Sequence, residues 1–134
     1  MKKILLAPDS FKGTFSSEEI AVLIRDALPA PFGKFCTIQA LADGGEGFAD
    51  VFKRMPGAQV KHAEVHGPLG EPVTAEFVQI QRRAIIAMSA AAGLPLVKGT
   101  LQPERATTFG VGELMLAAVQ SGASELVLGL GGSA

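Results

Sequence analysis

Residues 41–48 read Leu-Ala-Asp-Gly-Gly-Glu-Gly-Phe, and this stretch decides how the rest of the chain is interpreted. It places Asp43, Glu46 and three glycines between an apolar run and a helical pattern. Glycine lets the backbone take positive φ and come close to a ligand. Two interpretations stay open: a ligand-binding loop, or a capping box in which Asp43 caps the next helix and Glu46 reaches back to it.

Toward the N-terminus, the chain has the same order of strand, polar loop and helix. Residues 3–7 predict a short buried strand, and residues 9–15 form a polar loop. Ser16 and Glu19 have the spacing of a capping box for a helix over about 17–28. The apolar positions of that helix predict one core-facing stripe of Ile20, Leu23, Ile24, Ala27 and Leu28.

A second strand, over residues 35–40, precedes the Asp43 loop, and a second helix follows it. We expect both loops at one edge of a parallel sheet, where open α/β sheets bind ligands and helix amides favour anions. The second helix is predicted to bury a face made of Phe48, Val51, Phe52 and Met55.

After Val60 the pattern becomes antiparallel, because the apolar runs 60–65, 73–80 and 83–88 leave no room for crossover helices. Residues 89–93 suit a short helix, and residues 95–106 suit a subdomain boundary. The last helix, capped by Thr107 or Thr108 and ended by Gly122, is predicted to bury an apolar stripe of Val111, Leu114, Met115, Ala118 and Val119.

The final apolar run, residues 125–130, is typical of a strand buried on both faces of a parallel sheet. The fold class predicted from the whole chain is therefore α/β, with a Rossmann-like parallel sheet, helices on both faces and an added antiparallel β meander. If the last strand loses its cover, its apolar surface should make the protein self-associate or bind a missing segment.

Composition limits the classes of function. With 134 residues, 48% of them apolar, the chain can bury one core. A net charge of -1 gives no basic field for nucleic acid or for an anionic membrane. The apolar run at the N-terminus stops at Pro8, too early for a signal peptide, and the one cysteine, Cys36, reads as a core thiol. We therefore expect a cytoplasmic protein.

Generic motifs are weak. Residues 129–134, Gly-Leu-Gly-Gly-Ser-Ala, fit the loose dinucleotide-binding pattern, but that pattern also needs a following helix and an acidic residue. There is no P-loop sequence, and Lys12 before Gly13 reads either as a solvated loop charge or as a phosphate ligand. The spacing of His62 and His66 does not indicate a zinc set.

Three stretches considered together resemble the signature motifs of the glycerate kinase family, in the same order. They are residues 7–14 (Ala-Pro-Asp-Ser-Phe-Lys-Gly-Thr), 42–47 (Ala-Asp-Gly-Gly-Glu-Gly) and 129–134. Residues 65–73 and 106–114 also resemble connecting segments of that family. Ala87 departs from it, because a glutamate usually stands there, before the methionine.

The resemblance implies ATP-dependent phosphorylation of D-glycerate, with 2-phosphoglycerate as the favoured product and Mg²⁺ as charge partner. Lys12 would stabilise the transferring phosphoryl group, Asp43 would orient or deprotonate the glycerate hydroxyl, and Asp9 or Glu46 would hold Mg²⁺. The remaining residues assigned to substrate and phosphate binding are Ser10, Gly44, Gly45, Gly131, Gly132 and Ser133.

The family chain is much longer and its last motif continues beyond Gly-Gly-Ser-Ala, so residues 1–134 look like the N-terminal part of a two-domain enzyme. We expect this chain alone to be inactive. Two alternatives stay open. One is a Rossmann-type nucleotide-binding module of a dehydrogenase, and the other is a non-catalytic remnant that binds glycerate or a partner chain.

Overall fold

The computed structural model describes residues 3–11, 13–45, 47–99 and 101–134. The chain forms two compact units, residues 1–43 and residues 44–134. The predicted subdomain boundary at 95–106 lies within the second unit and stays a prediction.

The first unit is a small parallel sheet with one helix. Strands β1 (Ile4–Leu6) and β2 (Cys36–Ile38) pair in parallel, and helix α1 (Ser17–Ala27) connects them through a 3₁₀ turn at Phe32–Phe35. Parallel pairing places both strand ends, and therefore both following loops, at one edge, as the sequence predicted.

Helix α1 starts as predicted but does not bury the predicted stripe. Ser16 and Glu19 form the full capping box. Within the helix the buried residues are Ser17 and Ala21, whereas Leu23 is 48% exposed. Two strands of three residues make a sheet too narrow to cover the whole apolar face of an 11-residue helix. The stripe prediction was therefore wrong for Leu23, Ile24 and Ala27.

The second unit is built on a four-stranded sheet of order β3-β4-β5-β6. Strands β3 (Ala58–His66), β4 (Pro72–Ile80) and β5 (Arg83–Ala87) form the predicted antiparallel meander. Strand β6 (Glu125–Gly129) pairs with β5 in parallel and forms the edge of this sheet. The predicted single parallel sheet is thus two separate sheets, and the larger one is mixed.

Both faces of the larger sheet are covered by helices or loops. On one face of β5, Ala84 and Ile86 pack into a core that also contains residues of helix α3 (Ser89–Ala92) and helix α4 (Phe109–Gln120). Ile85 and Ala87 face the other way, into a core with Phe48 and Phe52 beside helix α2 (Asp50–Lys53). The prediction of helices on both faces is confirmed for this sheet.

Helix α2 is shorter than expected. It has a single turn, Phe48 packs against Phe52 with ring centroids 5.3 Å apart, and Met55 is 48% exposed. Pro56 and Gly57 follow directly, so the helix ends before Met55 can share its buried face. The predicted face was therefore right for the two phenylalanines and wrong for Met55.

Helix α4 has well-formed ends. The side chain of Thr107 accepts a hydrogen bond from the backbone N–H of Phe109, 3.2 Å away. At the other end Gly122 has a φ of 97°, and the N–H of Ala123 donates to the carbonyl of Ala118 at 3.1 Å, which completes a Schellman motif. The predicted stop at Gly122 is confirmed, whereas the N-cap position is held by Thr108, which makes no side-chain cap hydrogen bond, and Val119 of the predicted stripe is 51% exposed.

Strand β6 is not buried on both faces, as its apolar sequence suggested. Leu128 is 37% exposed, and Leu130, just after the strand, is 71% exposed. The strand is apolar, but its position at the sheet edge leaves one side without a neighbouring strand in the described residues. Among those residues, no helix is long and apolar enough to cross a membrane.

Candidate functional site

One buried hydroxyl connects the two loops at the edge of the small sheet. Ser17, the first residue of α1, donates from Oγ to the carbonyl of Pro8 at 2.7 Å and accepts from the backbone N–H of Leu41 at 3.0 Å. These two hydrogen bonds fix the loop after β1 to the loop after β2. Ser17 is only 7% exposed, so they are shielded from water. No local sequence pattern predicts this role, because the partners are distant along the chain.

Of the polar residues that the sequence assigns to these loops, only some lie within the described part of the chain. Asp9 accepts the backbone N–H of Ser10 at Oδ1, 2.7 Å away, and its side chain stays at the surface. Lys12, assigned to catalysis, and Glu46, assigned to Mg²⁺, lie outside the described residues. The structure therefore brings Asp9 and Ser10 together in one loop and describes nothing of those two side chains.

Asp43 is not a helix cap. Helix α2 begins at Asp50, and its N-cap position is occupied by Ala49, which makes no side-chain cap hydrogen bond. Asp43 lies seven positions before the helix start, because the chain first turns through the glycines. Asp43 therefore does not occupy the cap position of α2, and the Glu46 half of the predicted capping box lies outside the described residues.

Two glycine loops pack backbone against backbone in the second unit. A Cβ on Gly44 would lie 3.2 Å from the backbone nitrogen of Leu130, and a Cβ on Gly131 would lie 2.7 Å from Cα of Gly45. A Cβ on Gly129 would overlap Phe48. Side chains would therefore push the loops apart. Glycine serves here for close loop packing as well as for positive φ at Gly44 and Gly132.

The C-terminal loop is also fixed on its other side. Gly93 and Ser133 form an antiparallel bridge, and the N–H of Leu94 donates to the carbonyl of Gly132 at 3.0 Å. Gly44 and Gly45 are buried, whereas Gly132 and Ser133 are exposed. The part of this loop pair that is open to a ligand is therefore the segment from Gly132 to Ser133.

A polar cavity of about 180 Å³ lies beside the first glycine loop, at the C-terminal end of β5. Lys53 at its border binds Asp50 and Glu76, each at 2.6 Å. Partial burial acts to lower the pKa of Lys53, but the hydrogen bonds to both carboxylates outweigh it and raise the pKa above its usual value. The cavity is lined by Gly47, Ala49, Asp50, Thr74, Glu76, Ala87, Ser89 and Ala90.

The two connecting segments singled out in the sequence meet at the end of β3. Glu113 accepts the backbone N–H of His66 at 2.7 Å and lies 3.0 Å from Nδ1 of the same histidine. The backbone hydrogen bond from His66, together with its ring, lowers the pKa of Glu113. Sequence reasoning missed this pair, because the two residues are 47 positions apart.

No cluster of three or more histidine, cysteine or acidic side chains suited to a metal ion occurs among the residues that the structure describes. Mg²⁺ is commonly bound through only one or two carboxylates, with water and substrate phosphates completing the shell. A single exposed carboxylate such as that of Asp9 is compatible with this mode. Cys36 is half-buried with Sγ 3.6 Å from the carbonyl of Phe32, rather than a core thiol.

Comparison with known proteins gives one consistent result. A sequence model of the glycerate kinase family matches residues 4–134. The chain is 42% identical to a glycerate kinase of Bacillus subtilis (strain 168), over 98% of this chain and 36% of that protein. It is 39% identical to a glycerate 2-kinase of Escherichia coli (strain K12), again over 98% of this chain and 36% of that protein.

The fold agrees with these relatives. The crystal structure of a protein described as glycerate kinase 2 from Salmonella typhimurium LT2 matches with a TM-score of 0.73 and 36% sequence identity. That match covers 98% of this chain and 36% of the other. The chain thus has the mixed α/β fold of that structure and spans about a third of the length of the relatives it matches.

Proposed function

The chain belongs to the glycerate kinase family, and from that premise we propose that it is part of an enzyme that transfers the γ-phosphoryl group of ATP to a hydroxyl of D-glycerate. The favoured product is 2-phosphoglycerate. Relatives described as glycerate kinases and a glycerate 2-kinase support the substrate. The chain by itself is proposed to be inactive, because it spans only 36% of those relatives.

The observation that carries this proposal is the close packing of the two glycine loops. A Cβ on Gly131 would lie 2.7 Å from the backbone of Gly45, so both loops depend on the absence of side chains. Glycine-rich segments whose backbone amides are free to face a ligand form cradles for phosphate groups. Gly132 and Ser133 are the exposed members of the pair, and we assign them to phosphate or glycerate, while Gly44, Gly45 and Gly131 hold them in place.

The polar groups complete the assignment. Lys12 stabilises negative charge on the transferring phosphoryl group, and Asp43 orients or deprotonates the attacking hydroxyl. Ser10, in the loop fixed by Ser17, binds substrate. Asp9 or Glu46 would hold Mg²⁺, which would neutralise charge on the phosphates. Phosphoryl transfer depends mainly on positioning and electrostatics, and these residues supply both.

The proposal is tested with a longer protein that carries residues 1–134 as its N-terminal part. ADP release should require D-glycerate, and ³¹P and ¹³C NMR of the product should identify the phosphorylated hydroxyl. Gly131→Ala should abolish most of the rate, whereas Gly112→Ala, where a Cβ meets open space, should leave it unchanged. Equal rates in the two variants would show that the loop contact does not matter.

The dehydrogenase alternative makes a different prediction. A Rossmann-type module would bind NAD⁺ in preference to ATP, whereas the kinase proposal requires ATP or ADP. Calorimetric titration of the longer protein with each nucleotide separates the two. None of the relatives named above is described as a dehydrogenase, and this favours the kinase.

A further inference from the structure

The two strands of the small sheet stop pairing directly just beyond β1 and β2. After the pair Leu6 and Ile38, one more ladder hydrogen bond forms, from the N–H of Gln39 to the carbonyl of Leu6 at 2.9 Å. Hydrogen bonds of a parallel ladder are evenly spaced and recur at every second residue of each strand. The next bond of this register would therefore run from the N–H of Leu41 to the carbonyl of Pro8.

The hydroxyl of Ser17 takes the place of that next bond. Its Oγ accepts from the N–H of Leu41 at 3.0 Å and donates to the carbonyl of Pro8 at 2.7 Å, so it lies between the two groups that a continued ladder would pair directly. A direct backbone hydrogen bond spans about 2.9 Å, whereas this bridge consists of two successive hydrogen bonds. The strand ends are therefore held farther apart than in a ladder, but they stay connected.

The bridge lies beside the polar residues that the sequence assigns to the site. Asp9 and Ser10 follow the bridged carbonyl directly, and Asp43 comes two positions after the bridged N–H. In open α/β sheets, ligands bind in a crevice outside the carboxyl ends of the strands. Such a crevice needs strand ends that are spread apart and fixed at one distance, and the bridge through Ser17 supplies both conditions.

We propose that Ser17 is a positioning residue for phosphoryl transfer, and that its hydroxyl sets the distance between the loop of Asp9 and Ser10 and the loop of Asp43. This inference rests on the proposed function, which gives both loops their roles. Ser17 acts through the two loops rather than on the substrate. Without the bridge each loop keeps its own ligand contacts, but a misplacement of about 1 Å between reacting groups can cost about a hundredfold in rate.

The kinetic test uses the longer protein that carries residues 1–134 as its N-terminal part. We expect Ser17→Ala to lower kcat by about tenfold to a hundredfold, while the KM values for ATP and for D-glycerate each change by less than about twofold. This split separates positioning from ligand binding, because loss of a contact made equally in the ground state and the transition state raises KM instead.

Ser16→Ala is the matched control. Ser16 caps the same helix end through Glu19, so its loss weakens the start of α1 without removing either hydrogen bond of the bridge. The melting temperature should fall in both variants, whereas kcat should fall in Ser17→Ala alone.

A second pair of variants isolates the hydroxyl from packing. Threonine and valine have nearly the same shape, and they differ in that threonine has a hydroxyl where valine has a methyl group. Ser17→Thr and Ser17→Val therefore add similar volume to the same buried position, and any packing cost is shared. We expect kcat of Ser17→Thr to exceed that of Ser17→Val by about tenfold. Circular dichroism checks the fold of both variants.

Hydrogen exchange of the 134-residue chain gives a readout that does not depend on activity. Loss of the bridge should speed exchange at the amides of Ser10 and Leu41 together, by about tenfold, because both loops then open more often. Ser16→Ala should leave exchange at these two amides unchanged. Unchanged exchange in Ser17→Ala would show that the hydroxyl does not hold the loops together, and the proposal would fail.

Three kinetic results would also overturn the proposal. Equal kcat values in Ser17→Thr and Ser17→Val would mean that the hydroxyl is not needed. An equal loss of kcat in Ser16→Ala would mean that the effect follows helix stability. A raised KM with unchanged kcat in Ser17→Ala would assign the residue to binding. A longer protein that releases no ADP with D-glycerate counts against the proposed function instead, and the exchange experiment still tests the bridge.

Discussion

At the scale of single residues, Ser17 shows how one hydroxyl can position a whole loop edge. We expect Ser17→Ala to lower the free energy of unfolding by about 1–3 kcal/mol, because it leaves the Pro8 carbonyl and the Leu41 N–H without their partner. Hydrogen exchange at the Leu41 amide should speed up in parallel. Ser10→Ala removes a hydroxyl from the same edge and serves as the control, with a change within about 0.5 kcal/mol.

Asp43 gives a second prediction at this scale. Asparagine has nearly the same size as aspartate, so Asp43→Asn removes the charge of this exposed side chain while keeping its shape. In a longer enzyme that carries this sequence, we expect kcat to fall by about a hundredfold with an unchanged melting temperature if Asp43 acts as a base. An unchanged kcat would remove Asp43 from the proposed chemistry.

Local sequence spacing was enough to predict the hydrogen-bond partners of some residues but not of others. The capping box of Ser16 and Glu19 could be predicted because its partners are three residues apart. The bond from Leu41 to Ser17 joins residues 24 positions apart, and the link between Glu113 and His66 joins residues 47 positions apart. Such contacts depend on tertiary structure, which no local pattern contains.

At the scale of elements, alanine substitutions at two glycines of α4 are expected to change stability in opposite directions. A Cβ on Gly110 would overlap the carbonyl oxygen of His66, so Gly110→Ala should force α4 away from β3 and cost about 1–3 kcal/mol. A Cβ on Gly112 meets open space, and Gly112→Ala should stabilise the helix by about 0.5–1 kcal/mol. Urea denaturation at low micromolar concentration measures both, and equal effects would contradict the close contact.

The contact between α4 and β3 should also depend on pH. Hydrogen bonds from His66 lower the pKa of Glu113 in the folded state. Their stabilisation is therefore present above the ordinary pKa of glutamate and is lost as pH falls through the lowered value. We expect Glu113→Gln to flatten the acid side of a stability-against-pH curve. Glu104→Gln, at an exposed glutamate, should leave the slope as it is; the same flattening there would contradict the assignment.

Secondary structure was predicted better than burial. The meander could be predicted because its short connections exclude crossover helices. The outward faces of α1 and β6 were predicted to be buried but are exposed. An apolar stripe in the sequence does not show how many layers of structure are present to cover it. Leu23 and Leu128 are exposed for that reason.

At the scale of the whole molecule, we expect the purified 134-residue chain to release no ADP from ATP in the presence of D-glycerate. The chain spans 36% of its relatives, and phosphoryl transfer needs every charge partner in place at once. The measurement is a coupled ADP assay with Lys12→Ala as the background control. Glycerate-dependent turnover above that background would show that these residues suffice.

Strand β5 has a consequence for how such a protein can change over evolution. Its residues alternate between the core under α4 and the core beside the first glycine loop. A substitution that tilts β5 from the α4 side therefore also moves Ile85 and Ala87, which pack beside Phe48 and the loop. Substitutions of hydrophobic residues under α4 are therefore expected to shift the packing beside the first glycine loop, although they lie on the opposite face of the sheet.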